Sequence, residues 1–76
     1  MPNRIDFDTL AATLSPLARE ALLACRDDLG EAQTPGRAYL WARSAGADTR
    51  KPIERQLALS ELADRLAWAA LEQMGW

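Results

Sequence analysis

Few side chains in this sequence have the chemistry of a catalytic site. Cys25 is the only cysteine and the chain has no histidine, so a thiolate nucleophile would lack its usual general base. Two pairs of nearby carboxylates occur, Asp6 with Asp8 and Asp27 with Asp28. The first pair lies where a helix is expected to begin, and the second pair points to different sides of a helix. We therefore expect no enzymatic activity and no small-molecule substrate.

Metal and cofactor sites are not expected either. A structural zinc site uses clustered Cys and His ligands, and a phosphate-binding loop uses closely spaced glycines. The single cysteine and the four scattered glycines fit neither pattern. A core in so short a chain supplies only about 3–5 kcal/mol. Because disulfide and metal are excluded, a partner or a second copy is the remaining source of stability.

The apolar composition favours helices over strands. The chain of 76 residues contains 15 Ala and 12 Leu but no Val and only two Ile. Ala and Leu are strong helix formers, whereas strands are rich in β-branched residues. The sequence predicts one all-α domain over residues 1–76, a bundle of about four helices that forms a homodimer. It has no apolar run long enough for a membrane span or a signal peptide, so we expect a cytoplasmic protein.

Two dipeptides indicate where helices begin. Ser15-Pro16 and Thr34-Pro35 each place a capping side chain directly before a proline in the first helical turn. Asp6 or Asp8 is the expected cap of an earlier helix. The four predicted helices cover residues 7–14, 16–29, 35–45 and 52–76.

Other residues set the predicted boundaries between helices. Gly30 and Gly46 are the expected C-terminal stops of the second and third helices. Asp48 is the expected cap of the last helix, and the alternative places Lys51 as the cap with Pro52 as the first helical residue. Each of the first three helices has one predicted apolar stripe. These stripes comprise Phe7, Leu10, Ala11 and Leu14, then Ala18, Ala21, Leu22, Cys25 and Leu29, then Ala38, Trp41, Ala42 and Ala45. Leu23 falls on the opposite, polar side of the second helix.

The last helix differs from the others because it has apolar residues on two faces. The first face contains Leu59, Leu62, Ala63, Leu66, Ala70 and Met74, and we predict that it is buried. The second face contains Ile53, Leu57, Trp68 and Leu71. A surface helix needs one apolar stripe to dock on its own domain. The second face therefore needs a further cover, either the short first helix or another molecule.

We interpret the second face as a protein interface. Asp64 interrupts it, and a buried carboxylate without a partner is costly. Asp64 must therefore pair with an arginine or lie at the rim of the contact. Aromatic and Arg side chains are enriched in binding hot spots. The predicted interface residues are Leu57, Asp64, Trp68, Leu71, Trp76, Arg55 and Glu61. Glu61 and Arg65 are also spaced for an ion pair along the helix.

The charge distribution bears on nucleic acid as a partner. The net charge is −2. Five basic residues and two acidic ones in residues 34–55 give that segment a charge of +3, between acidic ends of −3 and −2. Phosphate binding favours a basic face. Nucleic acid is therefore not the expected partner, and the basic segment suits an acidic partner or an acidic flank of a second copy.

One short segment nevertheless resembles part of a DNA-binding motif. Residues 57–66 read Leu-Ala-Leu-Ser-Glu-Leu-Ala-Asp-Arg-Leu, which resembles the first helix of a helix-turn-helix. The resemblance implies a turn after Leu66, usually with glycine, and then a recognition helix. Ala67 stands at the glycine position, and the ten residues after Leu66 are too few for that helix. A second arrangement uses the helices 16–29 and 35–45, with Arg37 and Arg43 on the recognition helix.

These observations favour a small protein-interaction module. We expect it to bind another protein and to modulate it, by inhibition through occlusion of a functional surface. Small helical chains of this kind often come from phages and other mobile elements. A helix-turn-helix-like DNA-binding regulator is the alternative.

Overall fold

The described part of the chain contains five helices, of which the C-terminal one is the longest. The computed structural model describes residues 5–32 and 34–75, and no residue in these ranges lies in a strand. The helices are α1 (Phe7–Ala12), α2 (Pro16–Ala24), α3 (Arg26–Ala32), α4 (Pro35–Gly46) and α5 (Ile53–Gln73). The 21 residues of α5 span about 31 Å at 1.5 Å per residue, close to the 35 Å length of the molecule. The all-α class and the long C-terminal helix are confirmed.

Both Ser/Thr-Pro start signals form the predicted caps. The Ser15 hydroxyl accepts the Ala18 backbone N–H at 3.3 Å, and the Thr34 hydroxyl accepts the Arg37 backbone N–H at 3.4 Å. Each cap satisfies one of the N–H groups that a helix start leaves without an internal partner. Pro16 and Pro35 lose nothing at these positions, because their missing N–H would have been unpaired.

The first helix is shorter than predicted. Asp6 caps α1 by accepting the Thr9 backbone N–H at 3.1 Å, but the helix ends at Ala12 and not at residue 14. Arg19 of α2 then binds the carbonyl groups at this end. Its guanidinium donates to the carbonyl oxygens of Ala11 at 3.2 Å and Leu14 at 3.3 Å. A cation is favourable there because the carbonyl end of a helix carries partial negative charge.

The core lies between α5 and the helices packed on it. α5 packs most extensively against α4 and next against α2, while α3 packs against α4. The predicted stripes supply all of this core except Ala58, which no predicted stripe included. Its buried side chains are Leu10, Leu14, Ala18, Ala21, Leu22, Leu29, Ala38, Ala42, Ala58, Leu59, Leu62, Ala63 and Leu66. Trp41, Ala45 and Cys25 are half-buried against it, and Leu23 is exposed as predicted.

The predicted helix over residues 16–29 is wrong, because it divides at Cys25. The Cys25 backbone leaves the helical region (φ −109°, ψ 9°). A new helix, α3, starts at Arg26 with Asp27 and Asp28 in its first turn, where carboxylates favour a helix start. The break turns the chain from α5 toward α4, so that Leu22 and Leu29 both reach the core.

Of the two glycines predicted as helix stops, Gly30 lies inside a helix and Gly46 is the final residue of one. Gly30 belongs to α3, which continues to Ala32. Gly46 is the last residue of α4 and is buried. A Cβ at Gly46 would lie 3.3 Å from the Leu59 Cβ and from the Ser60 backbone nitrogen. Gly46 is therefore a point of close approach between α4 and α5.

Neither predicted cap of the last helix is correct. α5 begins at Ile53 after Pro52, and no side chain caps it. Asp48 instead organises the preceding loop. Its carboxylate accepts the Arg50 backbone N–H at 3.0 Å and binds the Arg50 guanidinium at 3.0 and 3.2 Å. It also binds the Lys51 ammonium at 3.3 Å.

The C-terminal half of α5 departs from two sequence-based hypotheses. The helix continues without a turn from Leu66 through Ala67 to Gln73, so residues 57–66 are not the first helix of a helix-turn-helix. Met74 follows the last helical turn and is 72% exposed, so its predicted burial is wrong. Trp76, a predicted interface residue, lies outside the described residues.

Candidate protein-interaction surface

Several large apolar side chains of α5 point away from the core. We call the surface formed by Ile53, Leu57, Asp64, Trp68 and Leu71 the outer face of α5. The exposed fractions of its four apolar members are 71% for Ile53, 63% for Leu57, 60% for Trp68 and 38% for Leu71. The outer face therefore remains uncovered by the rest of the described chain.

Helical geometry explains why this face stays exposed. At 3.6 residues per turn, the outer face lies roughly opposite the stripe that contains Leu59, Leu62 and Leu66. Those three leucines are fully buried, because α2 and α4 pack on their side of α5. The alternative in which the first helix covers the second stripe is wrong. The Leu10 and Leu14 side chains are instead buried in the core, so α1 packs there and not over the second stripe.

Asp64 lies at the edge of the outer face, beside the groove between α4 and α5, and is exposed. Among residues 5–32 and 34–75, no cation lies within ion-pair distance of its carboxylate. Arg43 lines the same 330 Å³ groove between α4 and α5 as Asp64. The Arg43 guanidinium donates instead to the Tyr39 hydroxyl at 2.8 Å. Asp64 therefore has the rim position that the sequence analysis offered as one of its two possibilities.

A larger groove borders the outer face on its Trp68 side. It has a volume of about 510 Å³ and lies between α1 and the C-terminal half of α5. Leu10, Leu66 and Pro35 supply apolar walls, while Asp6 and Arg65 add charge. Trp68 thus belongs both to the groove and to the outer face, and one contacting molecule could reach both surfaces.

Glu61 has an unpredicted structural role within the chain. Its carboxylate accepts the Ser15 backbone N–H at 2.7 Å and the Ser15 hydroxyl at 2.8 Å. In a capping box, a Glu three residues after the cap binds the cap's own N–H. In this chain the residue three after the cap is Ala18, which has no carboxylate. Glu61, 46 residues after Ser15, supplies the carboxylate in its place. The sequence signal that could have indicated this contact is the incomplete capping box at Ser15, which lacks its own Glu or Gln.

This contact also explains the electrostatics of Glu61. The two hydrogen bonds from Ser15, the backbone one first, hold the pKa of the Glu61 carboxyl below its ordinary value of 4.5. The predicted ion pair with Arg65 does not form within 4.0 Å. Glu61 therefore joins α5 to the start of α2.

We expect Glu61→Gln to lower the free energy of unfolding at neutral pH by about 1 kcal/mol, as loss of a helix cap does. The carboxylate stabilises the fold above its unfolded pKa of 4.5. That contribution is lost as the pH falls from 4.5 through the lower folded pKa. Urea titrations from neutral to acidic pH should therefore show a shallower acid loss in the variant.

Two variants provide the controls for this contact. Glu72→Gln removes an exposed carboxylate from the same helix and should change stability by less than about 0.5 kcal/mol. Ser15→Ala combined with Glu61→Gln should show a coupling energy in a double-mutant cycle. Strictly additive effects of the two substitutions would contradict the contact.

The basic segment does not form an open cationic patch. Arg50 and Lys51 bind Asp48, and these contacts, with the Arg50 side chain as the largest cause, lower the pKa of the Asp48 carboxyl to about 2. Arg43 is engaged with Tyr39. Of the five basic residues in this segment, Arg37 and Arg55 are exposed, and their guanidinium groups make no hydrogen bond or ion pair with the described residues.

The candidate catalytic residues do not come together. Cys25 is half-buried, and burial raises the pKa of its thiol, which disfavours the reactive thiolate. Asp27 and Asp28 are exposed on α3. Within the described ranges, no group of three or more Cys, Asp or Glu side chains is arranged to hold a metal ion.

The predicted interface residues fall into three groups. Leu57, Asp64, Trp68, Leu71 and Arg55 are exposed on α5. Glu61 is half-exposed and bound to Ser15, and Trp76 lies outside the described residues. The groove beside Trp68 was not predictable from the sequence, because its other wall comes from α1, which is distant along the chain.

Comparisons with protein-family models, with curated proteins and with solved structures each gave no match. Within residues 5–32 and 34–75, no helix is both long enough and apolar enough to cross a membrane.

Proposed function

We propose that this chain is a small, non-enzymatic protein-interaction module that binds another protein through the outer face of α5 and inhibits it by covering a functional surface. The observation that carries this proposal is the exposure of Leu57, Trp68 and Leu71 on one helix face. Clustered apolar exposure of this kind marks contact sites in soluble proteins. Trp68 supports the proposal further, since exposed tryptophans are frequent anchors of binding.

The charges around this face fit a contact with a polar rim. Asp64 and Arg55 are exposed, and their charges are not neutralised by described neighbours. Charges at a rim steer a partner and fix its register more than they add affinity. A target should therefore present an apolar surface bordered by complementary charge.

Replacing Trp68 by Ala tests this function. We expect target affinity to fall at least tenfold, or about 1.4 kcal/mol, with little change in the melting temperature because Trp68 is 60% exposed. The tagged chain would capture binding proteins from a host extract. Isothermal titration with the purified target would then measure the affinity, and an assay of the target would measure inhibition.

Leu40→Ala is the matched control, because Leu40 is 64% exposed but lies on α4. It should leave both affinity and inhibition unchanged. A target that binds the Trp68→Ala and wild-type chains equally well would contradict the proposed surface. Binding with no effect on the activity of the target would contradict inhibition.

A further inference from the structure

The outer face of α5 has the spacing of a helix-pairing seam. Positions along the exposed side recur at alternating intervals of four and three residues, as the contact positions of paired helices do. These positions are Ile53, Leu57, Ser60, Asp64, Ala67 and Leu71. Four of them belong to the outer face, and the other two lie beside it, Ser60 exposed and Ala67 half-buried. The two ends of the seam are apolar, and Ser60 and Asp64 make its centre polar.

This seam is complementary to itself when two copies run antiparallel. A twofold axis would pass beside α5 at the level of Leu62. It would pair each residue before Leu62 with the residue of the second copy that lies equally far after Leu62. Ile53 would then face Leu71 of the second copy, and Leu57 would face Ala67. At the centre, the Ser60 hydroxyl would face the Asp64 carboxylate, which can accept its hydrogen bond. In the single chain this hydroxyl lies beside Gly46, in the groove between α4 and α5 that Asp64 also lines.

A parallel arrangement lacks this complementarity. It would place each Asp64 against Asp64 of the second copy, where like charges destabilise a contact. It would also leave the two Ser60 hydroxyls without the carboxylate acceptor. Asp64 has no cation partner among the described side chains, so the antiparallel arrangement supplies a polar partner that the single chain does not.

The position of α5 in the fold leaves space for such a contact. Leu59 and Leu66, on the other side of the helix, are fully buried by the chain itself. Ser60 and Leu57 are exposed. A second α5 could therefore approach to the ordinary distance between packed helices, about 8–10 Å.

We infer that the outer face of α5 binds a second copy of this chain in an antiparallel, twofold-symmetric contact centred opposite Leu62. The inference rests on the proposed function, because it names an occupant of the same face. A target protein must then displace the second copy. Inhibition per chain is therefore expected to weaken as the concentration of the chain rises above the dimer dissociation constant.

Two charged variants test the register of this contact. Ile53→Lys places two ammonium groups against the two copies of Leu71, and Leu71→Glu places two carboxylates against the two copies of Ile53. Each variant alone should dimerise at least about 100-fold more weakly than the wild type, as expected for unpaired charges in an apolar contact.

An equimolar mixture of the two variants should recover dimerisation. In an antiparallel heterodimer, one end pairs Lys with Glu and the other end keeps Ile53 against Leu71. Sedimentation equilibrium should show a heterodimer at least tenfold tighter than either variant alone. Thermal melting of each variant would establish that it is folded, as the exposure of Ile53 and Leu71 leads us to expect.

A mixture of Leu23→Lys and Leu40→Glu is the control, because both leucines are exposed away from the outer face. These variants should dimerise like the wild type, alone and mixed. Folded Ile53→Lys and Leu71→Glu chains that do not recover on mixing would overturn the antiparallel register. A wild-type chain that stays monomeric at about 100 µM would overturn the second copy as occupant. The proposed function would survive that result if Trp68→Ala still weakened target binding.

Discussion

Replacing Leu62 by Ala should lower the free energy of unfolding by about 3 kcal/mol. Leu62 is fully buried in the middle of α5, between the helices that pack on it. The substitution removes buried methyl groups and leaves a cavity that the surrounding helices can fill only in part. A domain of this size has a total stability of only about 4–11 kcal/mol. The loss should therefore be a large fraction of the total.

Urea denaturation followed by circular dichroism would measure this change. Leu57→Ala is the matched control, because it makes the same chemical change on the same helix at a site that is 63% exposed. It should alter the stability of the monomer by less than about 0.5 kcal/mol. Measurements at dilute protein concentration keep any self-association out of the comparison. Equal losses for both variants would contradict the assignment of the two faces of α5.

Replacing Gly46 by Val should lower the free energy of unfolding by about 2 kcal/mol, as overpacking of a tight contact does. A Cβ at this site would already lie 3.3 Å from the Leu59 Cβ and from the backbone nitrogen and hydroxyl of Ser60. Valine adds two further methyl groups at this contact. The helices α4 and α5 would have to move apart, which loosens the most extensive packing in the molecule.

Gly30→Ala is the control for the Gly46 substitution and should have the opposite sign. Gly30 also lies inside a helix, but a Cβ there meets nothing within 4 Å. Alanine should stabilise the chain by about 0.5–1 kcal/mol, because it has the higher helix propensity and a less flexible unfolded state. Thermal melting of the two variants gives the comparison. A stabilising Gly46→Val would contradict the close approach of α4 and α5.

Helix starts were predictable where the signal is local. Ser15-Pro16 and Thr34-Pro35 cap α2 and α4 as expected, because the capping side chain and the N–H groups it binds are separated by only three residues. No tertiary contact is needed for such a cap to form. The buried stripes of α2, α4 and α5 followed for a similar reason, since helical periodicity fixes which side chains share a face.

Helix ends and connections were less predictable. No glycine or proline marks the helix break at Cys25 in the sequence. The break is favourable only in the folded chain, where α2 packs on α5 while α3 packs on α4. Asp48 had the right side chain for a helix cap. It binds Arg50 and Lys51 instead, the two cations that follow it in the loop before α5.

The candidate surface also has features that the sequence predicted and features that it did not. The second apolar face of α5 was readable from residue spacing, and the exposure of Leu57, Trp68 and Leu71 agrees with that reading. The groove beside Trp68 was not readable, since its walls come from α1 and α5 at opposite ends of the chain. Glu61 was expected at the rim of the interface, and it binds Ser15.

The amino-acid sequence alone determined that this chain is helical, where two of its helices begin, and that α5 has two apolar faces. Those properties depend on residues within one or two helical turns of each other, where backbone geometry sets all the distances. Only the tertiary structure decided whether the second face is covered within the chain and which partner Glu61 binds. Both depend on how α2 and α4 lie against α5, and packing between residues distant in sequence sets that arrangement.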